Sequence, residues 1–84
     1  MPTLLNEGGF RFVIHFNDHP PPHVHVEKGN NVLLISIGSL NEKPQERQNF
    51  GFDKRNANKA LAIVAKNQTL FLERWNEIVG REET

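Results

Sequence analysis

The chain has 84 residues, 37% of them hydrophobic and 24% charged, and its ten Lys plus Arg balance ten Asp plus Glu. That length holds one hydrophobic core and excludes a second domain, with about 60–65% of the unfolded surface buried on folding. Zero net charge excludes a global positive field for phosphate backbones or acidic membranes, and the lack of cysteine excludes disulfides and thiolate metal sites.

The start, Met1-Pro2-Thr3-Leu4-Leu5-Asn6-Glu7, has neither the basic head nor the apolar run of a secretory signal, and no stretch approaches the ~18 apolar residues of a membrane span. A soluble, cytoplasmic protein is the expectation. After Gly8-Gly9, residues 10–16 alternate Phe10, Phe12, Ile14 and Phe16 with Arg11, Val13 and His15, the period of two of a half-buried strand with its Phe side in the core. Residues 17–22 carry Asn17, Asp18 and the successive prolines Pro20, Pro21 and Pro22, which fix φ and remove backbone donors, so a stiff turn follows. A second strand spans 23–28, with Val24 and Val26 on one face and His23, His25 and Glu27 on the other.

Gly29-Asn30-Asn31 supplies a hairpin turn, and the near-continuous apolar run 32–37 predicts a third strand at the centre of a meander. Residues 45–50 can add a short fourth strand at an edge. Asp53 is a candidate N-cap for a helix over 54–79, because apolar residues recur at 57, 60, 61, 64, 71, 72, 75, 78 and 79. The stripe lapses at 66–69, where one long helix would kink. Its face, Leu61, Val64, Leu72, Trp75 and Ile78, is the natural cover for the sheet. The expected fold is thus a single α+β domain over 1–84: a small antiparallel meander of three strands, extendable to four, covered by a long C-terminal helix.

Three of the four histidines, His19, His23 and His25, fall within seven residues, and His15 precedes them. Residues i and i+2 of a strand project to the same side, so His23 and His25 can present two imidazoles to one divalent metal such as zinc, with His19 or Asp18 completing the shell. The same group can run acid and base chemistry, with Asp18 orienting an imidazole through its second nitrogen. A purely structural role is open as well: a histidine pair bonded to backbone or carboxylates, beside prolines that stiffen a hairpin. Lys54, Arg55, Lys59 and Lys66 on the helix are balanced by Glu73, Glu77, Glu82 and Glu83, so no strong nucleic-acid signal arises.

Met1-Pro2-Thr3, then Pro21-Pro22-His23-Val24-His25-Val26, Gly51-Phe52, and Leu72 with Trp75-Asn76-Glu77 occur in that order. On these motifs the chain resembles the bacterial domain of unknown function 4160 family. The Pro-Pro-His-x-His-Val element is the most specific of them. The resemblance implies a small bacterial protein without an established catalytic role, paired with a protein encoded nearby in a toxin–antitoxin-like module. It carries over Asp18, Pro21, Pro22, His23 and His25, whereas His15 and His19 lie outside the motif and residues 40–49 depart from the family's Leu-x-Pro-type stretch.

Three functions follow as expectations. The first is a protein-binding component of such a two-gene module, with the Pro turn and its histidines as contact surface: Asp18, His19, Pro21, Pro22, His23 and His25. The second is a His-dependent, metal-assisted hydrolase or nuclease using His23 and His25, with His19 as a further ligand. The third, a transcription regulator, lacks the clustered basic residues of a recognition helix.

Overall fold

The computed structural model describes residues 3–39 and 41–79. Five strands, β1 (Thr3–Glu7), β2 (Phe10–Val13), β3 (His23–Lys28), β4 (Asn31–Ser36) and β5 (Gln45–Phe50), precede two helices, α1 (Lys54–Lys66) and α2 (Gln68–Ile78). The strands form one sheet in chain order, each antiparallel to its neighbours. The α+β class is as the sequence implies. The strand and helix counts are corrected: five strands replace three or four, and two helices replace the single long one.

The added strand is β1. Glu7 pairs with Phe10 across Gly8 and Gly9, whose φ values of 66° and 85° are the two left-handed residues of a type I′ hairpin turn. Strand periodicity does not announce β1 because its register with β2 shifts between Thr3 and Leu5. The same alternation overextends β2, which stops at Val13. Ile14 is still in the core, but Phe16 is 68% exposed, which corrects its expected core position. The reason is local: Asp18 Oδ2 accepts the His15 N–H at 2.9 Å, and the Asp18 N–H donates to the His15 carbonyl at 3.1 Å, closing a turn.

The centre of the sheet is β3, one strand away from the expected β4. Cross-strand pairing sets two rows at this centre. Phe12, Val26 and Leu33 are opposite one another, and so are Val13, His25 and Leu34. The first row faces the helices in a cluster with Phe10, Val24 and Ile35 from the sheet and Ala60, Val64, Phe71 and Trp75 from α1 and α2. Full burial of each large apolar side chain contributes about 1.5–3 kcal/mol against the entropy of ordering it. The second row lies on the opposite face, toward which the histidines of β3 also project, and His23 at the strand's start reaches the Trp75 ring of α2.

Asp53 caps α1 as its sequence position suggests, Oδ1 accepting the Asn56 N–H at 2.8 Å. The helix then breaks at Asn67, where φ is −110° and ψ 21°. Asn67 Nδ2–H donates to the Ile63 carbonyl at 2.8 Å, and the next helix begins from the Asn67 carbonyl, which accepts the Phe71 N–H at 2.9 Å. A short amide that competes for the helix's own carbonyls is a natural breaking point. Gln68 leaves the break toward the sheet, and its Nε2 donates to the carbonyls of Ile37 and Glu42, each at 2.9 Å.

Candidate metal centre

The site is built outward from the His15–Asp18 turn, which ties the Asp18 carboxylate through Oδ2 to the His15 backbone. Pro20, Pro21 and Pro22 then carry the chain into β3, and the Pro22 carbonyl accepts the Ile37 N–H at 3.0 Å, so the prolines extend the sheet. His23 is the first residue of β3 and only 7% exposed. Its Nδ1 lies 3.0 Å from the Pro21 carbonyl, and because a carbonyl only accepts, Nδ1 carries the proton. Nε2 of a neutral His23 is therefore a lone pair. It lies 3.7 Å from Asp18 Oδ1, too far for a hydrogen bond and with a negative oxygen in front of it.

His25 follows two residues later on the same side of the strand, its ring centroid 5.3 Å from that of His23. His25 Nε2–H donates to Asp18, 3.3 Å from Oδ1 and 3.3 Å from Oδ2. Burial pushes the His25 pKa below its ordinary 6.5; the Asp18 charge and hydrogen bond oppose this, and the neighbouring His15 and His23 reinforce it. His25 is thus a neutral imidazole at neutral pH, the form that ligates metals.

One ligand atom from each of Asp18, His23 and His25 lies within 4.8 Å of the others. With metal–nitrogen bonds of about 2.0–2.1 Å and about 1.1 Å from nitrogen to ring centre, two imidazoles on one tetrahedral ion have centroids about 5 Å apart. The observed 5.3 Å is compatible with that spacing, and side-chain adjustment would bring the ligand atoms, now within 4.8 Å of one another, onto one ion. The Nδ1–H bond from His23 to a backbone carbonyl is also the outer contact that orients metal-bound histidines.

Of the residues singled out in the sequence, Asp18, His23 and His25 come together, with Pro21 holding His23 and Pro22 holding β4 through Ile37. His19 is exposed and stands outside the convergent group. Two neighbours escaped sequence reasoning. The His15 ring lies edge-on to His25 with centroids 4.4 Å apart, and Trp75, legible only as a core residue, packs its ring 5.2 Å from His23. The three-residue spacing of His15 and Asp18, a turn length, is the signal that could have found the first; nothing local points to the second.

Residues 9–76 match the family model described as a domain of unknown function, DUF4160. The chain belongs to the DUF4160 family. The match begins in the turn before β2 and ends one residue past Trp75, so it takes in Asp18, the prolines, both site histidines and the tryptophan beside them. No curated protein and no solved structure matches the chain. The DUF4160 description assigns no chemistry, and the reading of the site rests on its geometry.

Proposed function

We propose that this DUF4160 chain binds one divalent transition-metal ion through Asp18, His23 and His25 and uses it in hydrolysis. The observation that carries the reading is the convergence of Asp18, His23 and His25, one ligand atom from each within 4.8 Å of the others, with His23 Nδ1 turned to the Pro21 carbonyl and Nε2 toward the carboxylate at 3.7 Å. A metal ion between Nε2 and the carboxylate oxygen would bond both atoms at once, with the second ring nitrogen of His23 already held by backbone. His25 supplies the third donor once its Nε2 proton leaves. Two imidazoles and a carboxylate suit zinc and similar borderline ions. Asp18, His23 and His25 would hold the ion with a coordination position left open, and the ion would supply activation of water for hydrolysis of an ester, amide or phosphoester.

The chain has one Trp and no Tyr, so its ultraviolet emission reports on Trp75, 5.2 Å from His23. Cu²⁺ is expected to quench that emission with one-to-one stoichiometry, and a strong chelator such as EDTA to restore it. Asp18→Asn and His25→Ala should each weaken binding at least tenfold, since losing even an outer contact of a metal site costs about 10–100-fold. Untagged protein that purifies without metal, together with quenching that the two substitutions leave unchanged, would refute the reading.

A second reading is a protein-binding component of a two-gene, toxin–antitoxin-like module. The observation that favours it is β5, an edge strand exposed at all six residues. Co-expression with the product of the neighbouring gene tests it.

A further inference from the structure

A groove of about 510 Å³ opens where β3 begins and β4 ends, between Pro21 and Pro22 on one side and Gly38, Asn41, Glu42 and Lys43 on the other. Ser36 and Gln45, cross-strand partners on β4 and β5, contribute from the sheet. Ser36 also pairs with His23 across β3 and β4, so the groove starts one strand from the candidate metal ligands. Through Ser36 it is in line with Leu34 and Val32, which alternate onto the same side of β4.

The side opposite the prolines is held by its backbone and by α2. Ser39 and Glu42 exchange N–H···O=C bonds at 3.2 and 3.1 Å, and Gln68 clamps the carbonyls of Ile37 and Glu42. Gly38, at φ 84°, permits the close turn, because a Cβ there would sit 2.5 Å from the Glu42 carbonyl oxygen. Asn41 and Glu42 enter these bonds through backbone atoms, so their exposed side chains, like those of Lys43 and Gln45, remain for a ligand. A wall pinned in this way is preformed, which lowers the entropic cost of binding.

The chemistry of the lining selects the ligand. Glu42 and Lys43 are adjacent and cancel, so a polyanion gains no net attraction. The Asn41 and Gln45 amides and the Ser36 hydroxyl each offer both a donor and an acceptor. An extended backbone presents its own donors and acceptors in alternation, about 3.4 Å per residue, and is the natural complement. The proline rings give apolar walls. Farther along the same face, half-buried Leu34 and Val32 and the cross-strand partner of Val32, Phe50, 56% exposed, offer contacts for apolar side chains. We propose that the groove binds an extended, uncharged peptide segment bearing apolar side chains, with or without metal at the neighbouring site.

The test is titration of the ¹⁵N-labelled chain, in the absence and presence of Zn²⁺, with a pool of capped hexapeptides built from Ala, Ser, Asn, Leu and Val. Hexathymidylate serves as the polyanionic comparator. Saturable shifts of the Ser36, Gly38, Lys43 and Gln45 amides with the peptides are expected in both metal states. Ser36→Tyr should abolish them by filling the groove, and Gln45→Ala, an exposed change that leaves folding intact, should weaken them several-fold. Absence of saturable shifts at millimolar peptide overturns the proposal. So do shifts produced at these amides by the oligonucleotide instead, or a folded Ser36→Tyr chain that still binds. Failure of Zn²⁺ to bind would count against the metal reading alone.

Discussion

At the scale of single residues, His25 makes the stability of the protein depend on pH in a calculable direction. Burial holds its folded pKa below the 6.5 of an unfolded chain, so the unfolded state takes up the proton first. The contribution is fully present above pH 6.5, where both states are neutral, and is lost as pH falls from 6.5 through the folded pKa. Denaturant titrations between about pH 7.5 and pH 5 should therefore show the wild type losing stability more steeply than His25→Gln, which has no proton to bind. A wild type that gains on the variant over this window would mean that attraction to Asp18 outweighs burial. This pair was legible in the sequence because strand alternation is local: two residues apart means one face. His19 failed to join it because Asp18 is turned back onto the His15 N–H, a bond that residue types alone do not specify. Trp75 was legible only as part of a stripe, since its approach to His23 spans the whole chain fold.

At the scale of elements, the legible parts were those whose pattern is carried by burial. Strands β3 and β4 alternate because one face meets the helices, and α1 shows its stripe and cap. By contrast β1 hides behind a register shift, whereas β5, exposed throughout and without a hydrophobic pattern, was legible at 45–50 only from the Gly38, Pro44 and Gly51 punctuation around it. The helix break falls inside the lapse of the stripe at 66–69, but Val64 and Phe71 are seven residues apart and keep the stripe in phase across Asn67, which reads as one kinked helix. Beside the break, Gln68 joins α2 to the carbonyls of Ile37, just past β4, and Glu42. Each of its two bonds is worth about 0.5–1.5 kcal/mol, so Gln68→Ala should cost about 1–3 kcal/mol in urea unfolding. Removing the exposed cap by Asp53→Ala should cost about 1 kcal/mol. Amide exchange at Ser39 and Glu42 should quicken in the Gln68 variant only. A loss at position 68 no larger than at position 53, with unchanged exchange, would show that the Ser39–Glu42 turn holds itself.

At the scale of the whole molecule, the sheet is covered by helices on one face and has two edges, β1 and β5. No helix among the described residues is long and apolar enough to cross a membrane. An uncovered edge is a template for another strand, and proteins guard such edges with charge and bulges. Strand β5 has both: Glu46 and Arg47 lie in it, and its register with β4 shifts between Leu34 and Ile35, leaving Arg47 without a partner. Charge at the edge discourages pairing with a second copy, while a partner strand of matching pattern gains a full set of backbone bonds. The chain alone should therefore elute as a monomer, and with the product of the neighbouring gene it should move to a larger species. Position 47 offers a clean block. Proline is tolerated on edge strands and at bulges, and it removes the backbone donor at that position. Arg47→Pro should keep the circular dichroism spectrum of the folded chain and abolish the larger species. Persistence of the complex in that variant would move the contact away from β5, and a monomer under both conditions would end the partner reading.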